Sequence, residues 1–160
     1  MNGGTRATIG IFGALTVCRA NAAHAAPSSD PCSLLTEAQV ATALGVPVTV
    51  TKVGSDATHC HWEQTGKNGQ TLVDAHLMLE SVKAYDTAKN MMGMSGKVTK
   101  VAISGVGDDA YYLVSARRDA PLFVKKGNAA FRIAVDGKGW AAEDIKAKEK
   151  AFALALLSKL

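Results

Sequence analysis

Thr58 to Leu79 reads THCHWEQTGKNGQTLVDAHLML. Asn68-Gly69 inside it is the strongest short signal for a two-residue β-hairpin. With that pair at the two central turn positions, Lys67 meets Gln70 and the partners follow outward. Glu63 faces Asp74, Trp62 faces Ala75, His61 faces His76, Cys60 faces Leu77 and His59 faces Met78. Side chains alternate between the two faces of a strand, so the hairpin sorts itself. One face carries Cys60, Trp62, Val73, Ala75, Leu77 and Leu79, and the other carries His59, His61, Glu63, Asp74, His76 and Met78. A hairpin with one apolar and one polar face belongs to an antiparallel sheet covered on one side.

Similar reasoning extends to both sides of the hairpin. Upstream, Thr36 with Gln39 makes a capping box and Gly45 a C-terminal stop, predicting a helix over 37–44 that offers Val40 and Leu44 to a core. Val46 to Val53 alternates and predicts a strand. Downstream, Ser81 caps a predicted helix reaching Met92, with Gly93 and Gly96 beyond it. Four strands follow, near 97–103, 110–115, 122–126 and 129–135, with SGVGDD as one turn and Gly127-Asn128 as a two-residue hairpin. A last helix is expected from about Ala141 to Leu160, with Ile145, Phe152, Leu156 and Leu160 inward and Lys146, Lys148 and Lys150 in water. The fold class is therefore α+β: an antiparallel sheet of six to seven strands with helices packed on it.

The N-terminal MNGGTRATIGIFGALTVCRANAAHA has a basic residue, a short apolar run and a small-x-small end at Ala23-His24-Ala25. It reads as a signal peptide over 1–25, leaving one domain over 26–160. Leu15-Thr16-Val17-Cys18 resembles a lipobox, although Val17 stands where a small residue usually precedes the lipidated cysteine. Export to the periplasm or beyond without an anchor is the expectation. Residues 26–160 contain no apolar run long enough to cross a bilayer as a helix. Arg6 and Arg19 fall in the leader. The remainder holds sixteen of the eighteen basic residues against all fourteen acids, a net +2. The basic residues are dispersed, and no nucleic-acid footprint emerges. Cys32 and Cys60 are an even pair in an exported chain, which points to a disulfide. The alternative makes Cys60 a thiolate ligand between His59 and His61.

Four stretches carry a resemblance: PCSLLTEAQVATALG (31–45), Cys60-His61-Trp62, SGVGDDAYY (104–112) and VKKGNAAFRIAV (124–135). Together they resemble a group of secreted bacterial lipoprotein-like domains of unknown function, and are similar to the extracellular sensor domain of PknH-like kinases. The resemblance spans most of residues 26–160. It implies an α+β fold, a bond between Cys32 and Cys60, and an exported binding or sensing module without catalytic residues. The partner would be a small molecule or a protein in the cell envelope.

No nucleophile elbow, P-loop, HExxH or dinucleotide fingerprint is present. Gly105-Val106-Gly107 lacks the third glycine and reads as a turn. Asp108-Asp109 is a solvated turn pair before it is an acid–base pair, and nothing in the spacing links Ser104 with His76. Tyr112 and Phe123 lie on alternating strands, so one of them is a candidate ligand platform facing a groove. The sharper candidate is the polar hairpin face. His59, His61, His76 and Met78 cluster there, close enough to share one ion, with imidazole suiting copper or zinc and the thioether favouring Cu(I). Glu63 opposite Asp74 is mildly repulsive, which argues for a nearby cation or for a different register.

Overall fold

The computed structural model describes residues 30–51, 57–91, 98–115 and 120–160. The leader, Cys18 and the glycines at 93 and 96 lie outside them. A 3₁₀ turn, Pro31–Ser33, opens the described chain and is followed by α1, Glu37–Leu44. Then come β1 (Thr49–Thr51), β2 (His59–Thr65), β3 (Thr71–Glu80) and α2 (Val82–Met91). The second half is β4 (Val98–Ile103), β5 (Asp109–Ser115), β6 (Leu122–Lys126), β7 (Ala129–Gly137) and α3 (Ala142–Leu157). The seven strands form one antiparallel sheet in the order β1-β2-β3-β7-β6-β5-β4. Two meanders thus meet along β3 and β7.

The helices begin and end where local chemistry dictates. Thr36 and Gln39 close a reciprocal capping box on α1, and Gly45 takes the left-handed conformation that stops it. The Ser81 hydroxyl accepts the Ala84 N–H at the start of α2. At Gly107, also left-handed, an added Cβ would stand 2.5 Å from the Lys125 carbonyl, so the β4–β5 turn tolerates no side chain there. Asp108 beside it accepts from Lys126 Nζ at 2.8 Å and from the Gly127 N–H at 2.7 Å. This carboxylate pins the β6–β7 turn, and those bonds hold it below the usual carboxylate range.

One face of the sheet packs under α1 and α3. Trp62, Leu77, Phe131, Ile133, Leu122 and Phe152 are fully buried there, and Trp62 stands edge-on to Phe152 at 5.4 Å. Such a pair adds about 0.5–1.5 kcal/mol beyond its area. On the opposite face α2 covers the β5–β6–β7 side, burying Tyr85 against Tyr111, Phe123 and Ala130. The β2–β3 side of that face has no helix over it among the described residues. The Cys32–Cys60 disulfide ties the 3₁₀ turn to β2, with Cα atoms 5.1 Å apart.

Two expectations are revised. The register of β2 on β3 is the expected one from His59↔Met78 through Gln64↔Val73, but the turn differs. The Gly69 N–H bonds the Gly66 carbonyl, the Gly66 N–H bonds the Gln70 carbonyl, and Asn68 keeps a negative φ. Lys67-Asn68 are therefore the central residues, with Gly69 left-handed after them. The resulting one-residue offset is cancelled by the register shift at Gln64/Thr65, where Thr65 pairs with Thr71. The second revision concerns α3. Lys148 is half-buried, with its ammonium on the Leu44 carbonyl and over the Trp140 ring, and Lys146 is also half-buried.

Breaking the tie between the 3₁₀ turn and β2 should be costly. Closing a loop of 28 residues is worth about 3–4 kcal/mol in the chain-entropy model. The Cys32→Ala/Cys60→Ala protein should lose about that much in urea unfolding, and a loss below about 1 kcal/mol would refute the assignment.

Candidate functional site

Strand alternation and pairing lay the open face out in rows. Thr51, His61, His76 and Ala134 form one row across β1, β2, β3 and β7. Glu63, Asp74 and Asp136 form the row on one side of it, and His59, Met78 and Arg132 the row on the other. His61 and His76 lie with ring centroids 3.8 Å apart. Asp74, two residues before His76 on the same strand and face, bonds the His76 ring through Oδ2 (Nε2···Oδ2, 2.5 Å). Its other oxygen, Oδ1, is buried, lies 3.9 Å from His61 Nδ1 and has no hydrogen-bond partner. One ligand atom from each of His61, Asp74 and His76 falls within 4.8 Å of the others. Thr51 Oγ1, across from His61, is a second buried oxygen without a partner.

The electrostatics favour an uncharged donor at the centre of this group. Burial, then the neighbouring His76, push the His61 pKa below the ordinary imidazole value, with Asp74 opposing them. A neutral imidazole is the form that binds a metal ion. Two imidazoles and a carboxylate are a donor set for a borderline first-row divalent ion.

The sequence-expected set is rearranged in two ways. His59 stands outside the close group, beside the Thr58 hydroxyl (Oγ1···Nδ1, 3.0 Å). Met78 turns its sulfur to Arg132, which donates to Sδ at 3.2 Å. Asp74 takes the third place. It stands on the polar face in the sequence, but its contact with both rings shows only in the structure.

Beside the group lies a hollow of about 360 Å³. His59, His76 and Met78 wall it on one side, with Asp74, Arg132, Ala134 and Asp136 also lining it. Among the described residues, β6 begins at Leu122, opposite Ile133, and β7 runs on beyond it with no strand on that side. Antiparallel pairing alternates, and Val135 is the next residue whose N–H points that way. Glu149 reaches in from α3, and its Oε1 accepts that N–H at 3.1 Å. Glu149 is 1 % exposed, lines the hollow, and leaves Oε2 without a partner. Burial raises its pKa to about 8.

The other candidates are absorbed by the fold. Tyr112 is buried under α3 with its hydroxyl donating to the Lys146 carbonyl at 2.7 Å. Phe123 is buried on the opposite face, stacked on Tyr111 at 5.0 Å. Neither faces a groove, because α3 and α2 cover the two positions. Asp109 holds Lys89 and accepts the Tyr85 hydroxyl on its carbonyl, and Ser104 sits on the β4–β5 turn at the far side of the sheet from His76.

No protein-family model, curated protein or solved structure matches this chain.

The raised pKa of Glu149 has a sign. The folded chain holds the proton where the unfolded one releases it, so this group lowers stability as pH rises. The loss begins near the ordinary glutamate value of about 4.3 and is complete above about 8. Glu149→Gln keeps an acceptor for the Val135 N–H and carries no charge. Urea unfolding at pH 5, 7 and 9 should show the variant gaining on the wild type as pH rises, by a few kcal/mol on the order set by the shift. Parallel pH profiles would contradict this.

Proposed function

We propose that this chain is an exported, non-enzymatic binding domain whose open sheet face holds a divalent first-row ion such as zinc, copper(II) or nickel. The observation that carries the ion is the His61–Asp74–His76 group, with a buried, unpartnered carboxylate oxygen at its centre. A buried carboxylate oxygen with no donor costs about 1–3 kcal/mol or more, and a cation removes that cost. The apposition of Glu63 with Asp74 in the register adds negative charge beside the group. Tetrahedral ligand atoms around zinc stand about 3.3 Å apart at bonds of about 2.0–2.1 Å, so binding requires a modest closure of the three side chains. With Met78 Sδ accepting from Arg132, the donor set leans to imidazole and carboxylate rather than to a thioether that favours Cu(I).

Export is supported by the leader-like first residues and by a disulfide, which persists in oxidising compartments. The resemblance to secreted lipoprotein-like and PknH-like sensor domains points the same way. A binding role is favoured over a reaction because the residues most open to acid–base use, Asp108 and Asp109, hold a turn and a helix in place.

Titrating untagged protein with Zn²⁺, Cu²⁺ and Ni²⁺ by calorimetry should find one saturable site per chain. His61→Ala/His76→Ala should abolish it, Asp74→Asn should weaken it by about 10–100-fold, and His59→Ala should change it little. Binding by the double variant equal to the wild type would rule the site out. Affinity should fall with acid, because protons compete for the rings.

A further inference from the structure

The hollow beside the histidine group has a second buried carboxyl, and the ion does not account for it. That carboxyl belongs to Glu149 on α3. Its neighbours Lys148 and Lys150 are positioned outside the core proper, yet Glu149 is buried among Phe152, Ala153 and Leu156. One oxygen has a structural task, the Val135 N–H. A glutamine would perform that task without burying an ionisable group. The second oxygen has no task inside the protein.

We propose that this hollow binds a small organic cation, an alkylammonium or alkylguanidinium, with its N–H groups on Glu149 Oε2 and the Asp136 carboxylate. The proposal rests on reading the chain as a binding domain, and it does not require the metal ion. Charge decides the sign of the ligand. Among the described residues, the carboxylates of Asp74 and Asp136 and the carboxyl of Glu149 line the hollow against one guanidinium, and a cation bound there would draw the proton off Glu149. That guanidinium is already engaged: Arg132 donates to Met78 Sδ, faces Glu80 at 4.0 Å and lies over the Phe123 ring. Lys138, in the adjoining groove, is turned to Gln70 Oε1 at 3.4 Å. An anion would meet uncompensated carboxyls, whereas a cation supplies the donors they lack.

Size and lining decide the rest. A volume of about 360 Å³ lies at the low end of small-molecule sites. Met78, Ala134, Ala120 and Pro121 offer an apolar wall for a short hydrocarbon chain. Ala134 sits beside His76 in the row, and its methyl leaves the space that a larger residue would fill. Asp136 is exposed at the mouth and Glu149 is buried at the floor, so an ammonium with a short chain fits better than a bare ion.

The test uses metal-free, full-length protein titrated with butylammonium and butylguanidinium, and with butyrate and butanol as anionic and neutral counterparts. Saturable binding of at least one cation, with amide shifts centred on Ala134 and Asp136, is expected. Glu149→Gln, which keeps the Val135 hydrogen bond, should weaken it by about tenfold or more, as should Asp136→Asn. His61 does not line the hollow, so His61→Ala should lose the metal ion and keep the organic cation. Absence of saturable binding by either cation, equal binding of butyrate, or wild-type affinity in both Glu149→Gln and Asp136→Asn would overturn the proposal. Organic-cation binding that vanishes with His61→Ala would also overturn it as a separate site, whereas loss of the metal alone leaves it standing.

Discussion

The register of β2 on β3, continued onto β7, is the constraint from which the rest of the molecule follows. A strand has a period of two, so a slip of one residue would exchange its faces. Cys60, Trp62, Ala75 and Leu77 must point under α1 and α3, since Trp62 and Leu77 are fully buried there. Full burial of one large apolar side chain is worth about 1.5–3 kcal/mol, and several act together in this row. The disulfide adds a covalent check, because Cys60 reaches Cys32 only from that face. His61 and His76 are therefore brought within 3.8 Å by residues on the other side of the sheet. No attraction between the rings is needed.

Where the helices lie decides which part of the polar face stays open. α2 is held over β5, β6 and β7 by Tyr85 in its small core, by Lys125 on Asp86 at 2.8 Å, and by Lys89 on Asp109. It leaves β3 at Glu80 and crosses toward β6, so it passes away from the rows of His61 and Asp74. Among the described residues, the short β6 then leaves about half of β7 without a strand on one side. The hollow is the joint result of a helix that covers one half of a face and a strand that ends early.

The elements and the β2–β3 pairing were legible because alternation and capping are local. Among the described residues the seven strands and three α-helices follow from period, turn residues and caps, and the histidine face follows from the same count. The turn itself was misread, since Asn68-Gly69 fits a two-residue turn as well as the longer one that places Gly69 after Lys67-Asn68. The error did not spread, because a compensating shift beside Thr65 restores the pairing. Glu149 was not legible. It stands among Lys146, Lys148 and Lys150, a run that reads as a solvated face. Its burial makes sense only once β6 is known to begin at Leu122 and leave the Val135 N–H without a strand partner among the described residues, so that Glu149 accepts it. Tyr112 and Phe123 failed as platform candidates for a related reason: parity assigns a residue to a face, while only the packing of α2 and α3 says whether that face is covered.

The placement of unpaired polar atoms bears on whether the open face is a site or merely wet. Among the described residues, four buried side-chain oxygens lack a hydrogen-bond partner: Thr51 Oγ1, Asp74 Oδ1, Tyr111 Oη and Glu149 Oε2. Tyr111 lies under α2, where burial raises its phenol to about 12. The other three border the histidine group or the hollow beside it. Each such atom costs about 1–3 kcal/mol, and a sequence shaped for stability alone would replace it with an apolar or fully bonded group. A solvated sheet face has no reason to gather such costs, because water reaches its polar atoms. Departures from local consistency that collect in one place mark a surface shaped for something other than the fold. Cations, whether a metal ion or an organic ammonium, are the partners that would satisfy the two carboxyl oxygens together.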